Sequence, residues 1–234
     1  MASFRSAVPA FRFLPGVLAV LLLFPGWCAA AGPPPPCLAV IAPRSGDALP
    51  PGKALVIGTA KGEGLSRVEI EVNGKGRTDV PVRGGGFSAA VPIAAGSNLI
   101  RVSAGKTSVS VAVTGSEKGG YRYHEEAERC VSCHDRTGNG YALPGPKDAL
   151  CYRCHDRQDT GKVVHGPLGG GDCTACHDPH GSANVALTVA RPERLCLFCH
   201  DQESSTKHMR ESRGRLCTEC HDPHSSDRTF LRKK

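Results

Sequence analysis

The chain has 234 residues and a formal net charge of +7, which is spread unevenly along the sequence. Residues 1–36 contribute +2, residues 37–115 contribute +4 and residues 116–234 contribute only +1. The C-terminal half is therefore not basic enough to indicate a nucleic-acid surface. After the N-terminal apolar run, no segment is apolar enough to span a membrane, which takes about 20 consecutive residues.

The N-terminal segment has the organisation of a secretory signal peptide. Arg5 and Arg12 precede an apolar run over residues 13–24, and small residues at 29–31 form an Ala-x-Ala cleavage site. The run is too short for a transmembrane helix. We expect residues 1–31 to be removed and the mature protein to be exported, either to the periplasm or to the cell exterior.

A series of short strands follows the signal peptide. Residues 32–36 are predicted to be an extended proline-rich linker, and residues 37–115 are predicted to be an all-β domain. Val68, Ile70 and Val72 alternate with polar residues, as in a strand with one buried face. The predicted strands are Leu38–Ala42, Ala54–Thr59, Arg67–Val72, Thr78–Val82, Phe87–Val91, Leu99–Ser103 and Thr107–Val113.

The connections between these strands support a β-sandwich. Asn73-Gly74 is a strong hairpin-turn signal, and three glycines at 84–86 mark another connection. With the stretches Gly86-Phe87-Ser88 and Gly96-Ser97-Asn98, the segment resembles the small bacterial immunoglobulin-like domains of exported proteins. It departs from antibody domains because it has no internal cysteine pair and its only tryptophan, Trp27, lies in the signal peptide. The resemblance implies a fold more than a function.

Five copies of Cys-x-x-Cys-His lie in residues 116–234, at intervals of 21, 22, 23 and 21 residues. This motif attaches c-type haem, because the two cysteines form thioethers with the haem vinyl groups and the adjacent histidine binds the iron. The predicted thioether residues are Cys130, Cys133, Cys151, Cys154, Cys173, Cys176, Cys196, Cys199, Cys217 and Cys220. The predicted proximal iron ligands are His134, His155, His177, His200 and His221.

Zinc ribbons and disulfide frameworks are the alternatives for so many cysteines. Zinc ribbons need about four ligands per metal and do not place a histidine after every second cysteine. Disulfide frameworks have no need of histidine. The regular motifs therefore favour five covalently bound haems. Export agrees with this assignment, because bacteria attach c-type haem outside the cytoplasm, and the haem propionates should make the holoprotein neutral or acidic.

The haem-binding half is predicted to lack a protein core of its own. It gives roughly 24 residues to each haem and has few apolar side chains, and so short a chain hardly buries a core from side chains alone. We expect a second domain, residues 116–234, of short helices and loops packed around haem. Without haem it should be unfolded.

The five motifs alternate between two kinds, with a period of 43 to 45 residues. The third and fifth motifs continue as Asp-Pro-His, whereas the second and fourth are plainer. This pattern resembles the doubled CxxCH family of multihaem cytochromes, here with two full units and a half. The first unit departs from it, because Thr137 stands at the position equivalent to His180.

The ten histidines of the chain are twice the number of motifs. Five are the predicted proximal ligands, and the other five equal the number of irons. We therefore expect bis-histidine ligation throughout, with Met209 as the one alternative axial ligand of the mature chain. Which distal histidine serves which haem is left open by the spacing. The predicted distal ligands are His124, His165, His180, His208 and His224.

An aspartate follows each proximal histidine, and two interpretations of it remain open. The aspartates are either turn residues and surface caps, or carboxylates that stabilise ferric iron and lower its potential. These residues are Asp135, Asp156, Asp178, Asp201 and Asp222.

Two cysteines lie outside the motifs. Cys28 does not fit a lipoprotein signal, because Trp27 occupies a position that requires a small residue, and it should be removed with the signal peptide. Cys37 is then left over. It is expected to be buried at the start of the first strand, or else to form an intermolecular disulfide.

Closed bis-histidine haems favour electron transfer, in respiration or outside the cell, over catalysis. The expected partners are other redox proteins: cytochromes, reductases or an outer-membrane conduit. A multihaem reductase would need one open haem, most plausibly in the first unit, but all five motifs are intact. The sandwich is either a passive spacer or a docking domain that binds a surface, a partner cytochrome or further copies of the chain in a filament.

Overall fold

The computed structural model describes residues 36–135, 142–200, 207–208, 212 and 214–233. The predicted signal peptide, most of the linker, Thr137, Asp201 and Met209 lie outside these residues. Residues Pro33–Lys234 form one compact unit. No helix within the described ranges is long and apolar enough to cross a membrane.

The N-terminal part is a β-sandwich of two sheets. One sheet has the order β1-β3-β6, and the other has the order β2-β8-β7-β4-β5. All neighbouring strands are antiparallel except β2 and β8. The strands are β1 Cys37–Ala42, β2 Ala48–Leu49, β3 Gly52–Lys61, β4 Arg67–Val72, β5 Lys75–Pro81, β6 Gly86–Ile93, β7 Gly96–Ala104 and β8 Thr107–Gly115.

All seven predicted strands are confirmed, and the alternating residues form the core between the sheets. Ile70 faces Val102 across β4 and β7, and both side chains are fully buried. Asn73 and Gly74 have φ of +54° and +72°, the left-handed conformations that a tight hairpin turn requires. Strand β2 was not predicted, because two residues are too few to show a period.

The C-terminal half consists of helical turns and two small ladders. The ladders pair β9 with β11 and β10 with β12. These strands are β9 Arg122–Tyr123, β10 Val163–Val164, β11 Gly181–Ser182 and β12 Ser225–Ser226. The α-helices are α1 Lys147–Cys151, α2 Gly166–Gly169, α3 Pro192–Leu195 and α4 Cys217–Cys220. The 3₁₀ turns are Glu125–Glu128, Cys130–Ser132, Cys173–Ala175, Val185–Leu187, Cys196–Phe198 and Thr229–Leu231.

Buried apolar side chains are confined to the sandwich and the segment that follows it. The last two along the chain are Tyr121 and Ala127, and none of the described residues after Ala127 is a buried apolar one. Several large apolar side chains of that half are exposed instead, among them Val185 and Phe230. The C-terminal half therefore has no hydrophobic core made by its own described side chains.

Two tyrosines join the sandwich to the C-terminal half. The pairing of β1 with β3 ends at Ile57, and the backbone N–H of Leu55 donates instead to the Tyr123 hydroxyl at 3.0 Å. Burial raises the pKa of Tyr123 to about 12, against the lowering effect of this hydrogen bond. The ring of Tyr121 packs edge-on against Tyr123 with 5.0 Å between centroids, and its buried hydroxyl has no hydrogen-bond partner among the described residues.

Cys37 is exposed at the start of β1, an edge strand of its sheet. The prediction that it is buried is therefore wrong. The first residue of strand β1 faces outward, so the thiol of Cys37 lies in solvent. Cys37 forms no disulfide with another described cysteine.

Replacing Tyr123 with Phe should destabilise the holoprotein by about 1 to 3 kcal/mol, because the buried Leu55 N–H loses its acceptor. Tyr121→Phe is the matched control: it removes a hydroxyl without a described partner, and we expect an unchanged or slightly higher stability. Guanidinium unfolding of both variants, followed by far-UV circular dichroism, measures the difference. Equal losses in the two variants would show that the Tyr123 hydroxyl does not hold the junction.

Candidate haem sites

Each Cys-x-x-Cys-His motif forms one helical turn. The backbone N–H of the histidine donates to the carbonyl of the first cysteine in every motif, at 2.8 to 3.0 Å. This turn brings both cysteines and the histidine to one place in the chain, as the sequence predicts. None of the eleven described cysteines forms a disulfide.

All ten histidines lie in five pairs, and each pair joins one predicted proximal ligand to one predicted distal ligand. The ring centroids of the pairs are 5.9 to 6.1 Å apart. The pairs are His134 with His180, His155 with His124, His177 with His224, His200 with His165, and His221 with His208.

This spacing fits an iron between the two rings of each pair. Imidazole nitrogens bind metals at about 2.0 to 2.1 Å and lie about 1.1 Å from the ring centroid, so two rings on one metal are about 6.2 Å apart. The centroid spacing of each of the five pairs is therefore compatible with one metal ion between its two rings. A zinc ribbon needs about four converging ligands, and within the described residues no group of three or more His, Cys, Asp or Glu side chains converges on a metal position.

Ladders and loops bring distant histidines together. Strand β9 ends just before His124 and pairs with β11, which begins just after His180. Strand β10 pairs in the same way with β12, and the N–H of His165 donates to the His224 carbonyl at 2.9 Å. Each downstream histidine is thus fixed beside an upstream histidine of the preceding unit.

Carbonyl groups set the proton position on three of the rings. Nδ1 of His177 lies 2.8 Å from the Ala186 carbonyl, and Nδ1 of His221 lies 2.7 Å from the Phe230 carbonyl. Nδ1 of His165 lies 3.0 Å from the carbonyl of Pro223. Because a carbonyl only accepts, Nδ1 carries the proton in each ring and Nε2 is free for a metal.

His124 differs from these rings. Its Nδ1 accepts the backbone N–H of Glu126 at 3.2 Å and caps the 3₁₀ turn Glu125–Glu128. A neutral imidazole that accepts at Nδ1 carries its proton at Nε2. Binding of iron through Nε2 therefore requires this cap to be released.

Two of the aspartates that follow proximal histidines are confirmed as turn residues. Asp178 accepts the N–H of His180 at 3.0 Å, and Asp222 accepts the N–H of His224 at 2.9 Å. Burial alone would raise the pKa of Asp178, but hydrogen bonds from His180 and the charge of Arg44 outweigh burial and lower it. The carboxylate of Asp178 is also 3.4 Å from Nδ1 of its histidine, whereas that of Asp222 is 3.9 Å away. A tuning role thus remains compatible with the turn role.

Successive motifs lie side by side along the chain. Burial raises the pKa of the Cys151 thiol to about 11, and the neighbouring Cys173 of the next motif adds to this rise. Burial likewise raises the pKa of Cys196, to which Cys217 contributes in the same way. The other two junctions bring Cys133 close to Cys154 and Cys176 close to Cys199. The attachment points therefore follow one another in sequence order.

The first two motifs share one cavity of about 670 Å³. All eight of their cysteines and paired histidines line it, and residues of the sandwich form part of the remaining wall. The sequence did not indicate this contribution of the sandwich, nor the carbonyl acceptors for the histidine rings. In the sequence, the residues that supply these carbonyls can be recognised only by their equivalent positions in the two Asp-Pro-His repeats.

Comparisons with known proteins bear on both halves. A family model described as "Doubled CXXCH motif" matches residues 124–160 and 165–205. No curated protein matches the chain. Among solved structures, an immunoglobulin complex of titin M10 and obscurin-like 1 matches with 21% identity and a TM-score of 0.25, covering 36% of this chain and 94% of that chain. Domains 4–9 of the surface layer protein SbsC match with 18% identity and a TM-score of 0.25, covering 39% of this chain and 16% of that chain.

The sandwich is established by its own two sheets. The family match covers about a third of the chain and includes four of the five motifs. It supports the binding of covalent c-type haem by doubled CXXCH motifs and a relationship to the multihaem cytochromes.

Proposed function

We propose that the chain is a multihaem c-type cytochrome that holds five haems and passes electrons along them. The observation that carries this proposal is the pairing of all ten histidines at the spacing of two axial ligands. The ten motif cysteines would form the thioethers. The lack of buried apolar side chains among the described residues after Ala127 supports haem as the core of this half.

Under this proposal, each histidine pair supplies one haem with its distal ligand. The upstream histidine of a full unit serves the second motif of that unit, as His124 does for His155 and His165 for His200. The Asp-Pro-His histidine serves the first motif of the preceding unit. In the half unit this rule changes, because His208 pairs with His221 of the same unit.

Such haems would be closed to substrate and suited to electron transfer. Two histidines fill both axial positions of the iron, and no methionine raises its potential. The attachment points are neighbours in sequence order, so electrons would pass from each haem to the next. The protein would be exported and would exchange electrons with other redox proteins.

A reductase with one open haem is the second candidate, and the second motif is the favoured position for it. His124 must give up its cap on the 3₁₀ turn before it binds iron. The rings of His165, His177 and His221 donate from Nδ1 to a carbonyl and need no such change. A haem at His155 would therefore have the weakest distal ligand.

Carbon monoxide should leave the Soret band of the reduced wild-type protein unchanged, because bis-histidine irons offer no free position. His180→Ala should open one haem, so that about a fifth of the absorbance shifts with carbon monoxide. Met209→Leu is the control and should behave as wild type. A Soret shift in the wild-type protein would show an open haem and would contradict the proposal that all five haems are closed. If the open haem is the second one, at His155, the result would favour the reductase.

The ligand planes predict two classes of ferric haem. The rings are within 15° of parallel in three pairs, whereas they are 65° and 80° apart in the pairs of His124 and His208. Near-parallel planes give rhombic electron paramagnetic resonance signals, and near-perpendicular planes give highly anisotropic ones. We expect both signals in the oxidised protein at a ratio of three to two. His208→Ala should remove half of the anisotropic signal, and a single rhombic class would contradict the ligand pairs.

A further inference from the structure

The three-stranded sheet of the sandwich is buried on both faces in the middle of its central strand, β3. Strand β3 is buried without interruption from Ala54 to Gly58, although one face of an edge-exposed sandwich sheet normally faces water. Leu55 and Ile57, on one of these faces, are only 8% and 7% exposed. Around Leu55 and Ile57, the second face of the sheet is therefore covered by another part of the chain.

The face that carries Ile57 meets the first haem motif. Ser88 lies directly across from Ile57 on β6, so the two side chains share a face. The Ser88 hydroxyl is 3.9 Å from the sulfur of Cys130. Ile57 and Thr59 line the cavity of about 670 Å³ from this side. The sheet thus forms a wall of the space into which the first motif opens.

A second contact reaches the distal ligand of the same site. Nη2 of Arg44, in the loop after β1, lies 2.6 Å from Oδ2 of Asp178. Oδ1 of Asp178 lies 3.0 Å from the His180 N–H and 3.4 Å from its Nδ1. The side chain of Asp178 is only 7% exposed. Arg44 therefore holds a buried carboxylate that in turn holds the His180 ring.

The third site, where His177 is paired with His224, is a natural comparison. It has the same Asp-Pro-His segment but no contact from the sandwich is described there. The side chain of Asp222 is 40% exposed, and its carboxylate is 3.9 Å from Nδ1 of His224. No arginine or lysine of the described residues forms an ion pair with Asp222. A carboxylate close to the distal histidine and paired with an arginine is thus found at the site that the sandwich covers, and not at the third site.

We propose that the sandwich is a structural part of the first haem site. Its three-stranded sheet forms the wall of the site, and Arg44 positions His180 through Asp178. This proposal rests on the proposed function, because it takes His134 and His180 as the axial ligands of one iron. The sandwich is then neither a passive spacer nor only a docking domain, since it sets the environment of one haem in five.

The proposal predicts a selective change in one midpoint potential. Arg44→Ala leaves the charge of Asp178 uncompensated beside His180, which favours ferric iron, so the potential of the first haem should fall. Arg44→Lys keeps the charge and should restore most of the wild-type value. Arg67→Ala is the matched control, because Arg67 forms an exposed ion pair with Asp79 within the sandwich. Spectroelectrochemical titration of the five-haem protein measures all three.

A second substitution tests the wall without the ion pair. Thr59→Asp places a carboxylate on the wall of the cavity and should lower the same potential, whereas the neutral Thr59→Asn should not. In the His180→Ala background, Arg44→Ala should have a smaller effect on the first haem, because the ligand that Asp178 positions is gone and only the through-space effect of its charge remains. A remaining effect of full size would show that Arg44 acts by another route.

The outcomes separate this proposal from the proposed function. If the wild-type protein binds carbon monoxide at the first haem, the assignment of His180 fails before any sandwich variant is made. If the wild-type haems are closed but Arg44→Ala and Thr59→Asp leave all five potentials unchanged, the role of the sandwich is overturned and the electron-transfer proposal stands.

Discussion

The distance between paired imidazole rings is the constraint on which the C-terminal half depends. Under the proposed bis-histidine ligation, two rings must be held about 6 Å apart with their nitrogens aimed at one point, and the rings of four pairs come from residues more than 30 positions apart. Short helical turns hold one ring of each pair, but they cannot place the other. The two-residue ladders do this for His180 and His224, by fixing each beside the start of the preceding unit. These small sheets are therefore part of the ligand geometry.

The same constraint explains why this half has so little regular structure. A helix or strand needs an apolar face to pack against a core, and the described residues after Ala127 contribute no buried apolar side chain. The motif residues Val131 and Phe198 are 59% and 63% exposed. These exposed apolar side chains lie between the cysteines that would hold haem, so the cofactor is the partner that would cover them. The free energy of haem attachment would then replace that of a hydrophobic core.

Local signals made the sandwich and the motif residues predictable from the sequence. Alternation identified β4 with its observed ends, and the Asn-Gly pair identified the turn after it. The partners across space were not predictable, because the ladder that places His180 has only two residue pairs, and the ring 6.1 Å from it, His134, is 46 positions away in the sequence. The exposed position of Cys37 was missed for a related reason, since a single edge residue has no pattern that shows which way it faces.

The first and the fifth candidate haem sites differ in their surroundings, and this difference follows from the order of the domains. The first site lies against the sandwich, which has a hydrophobic core of side chains. The fifth site has no such wall, and Phe230, whose carbonyl faces the His221 ring, is 82% exposed. A carboxylate or cation acts on a haem most strongly where water is excluded, because the local dielectric is low. Under the proposed function, side chains would therefore act on the potential of the first haem more strongly than on that of the last.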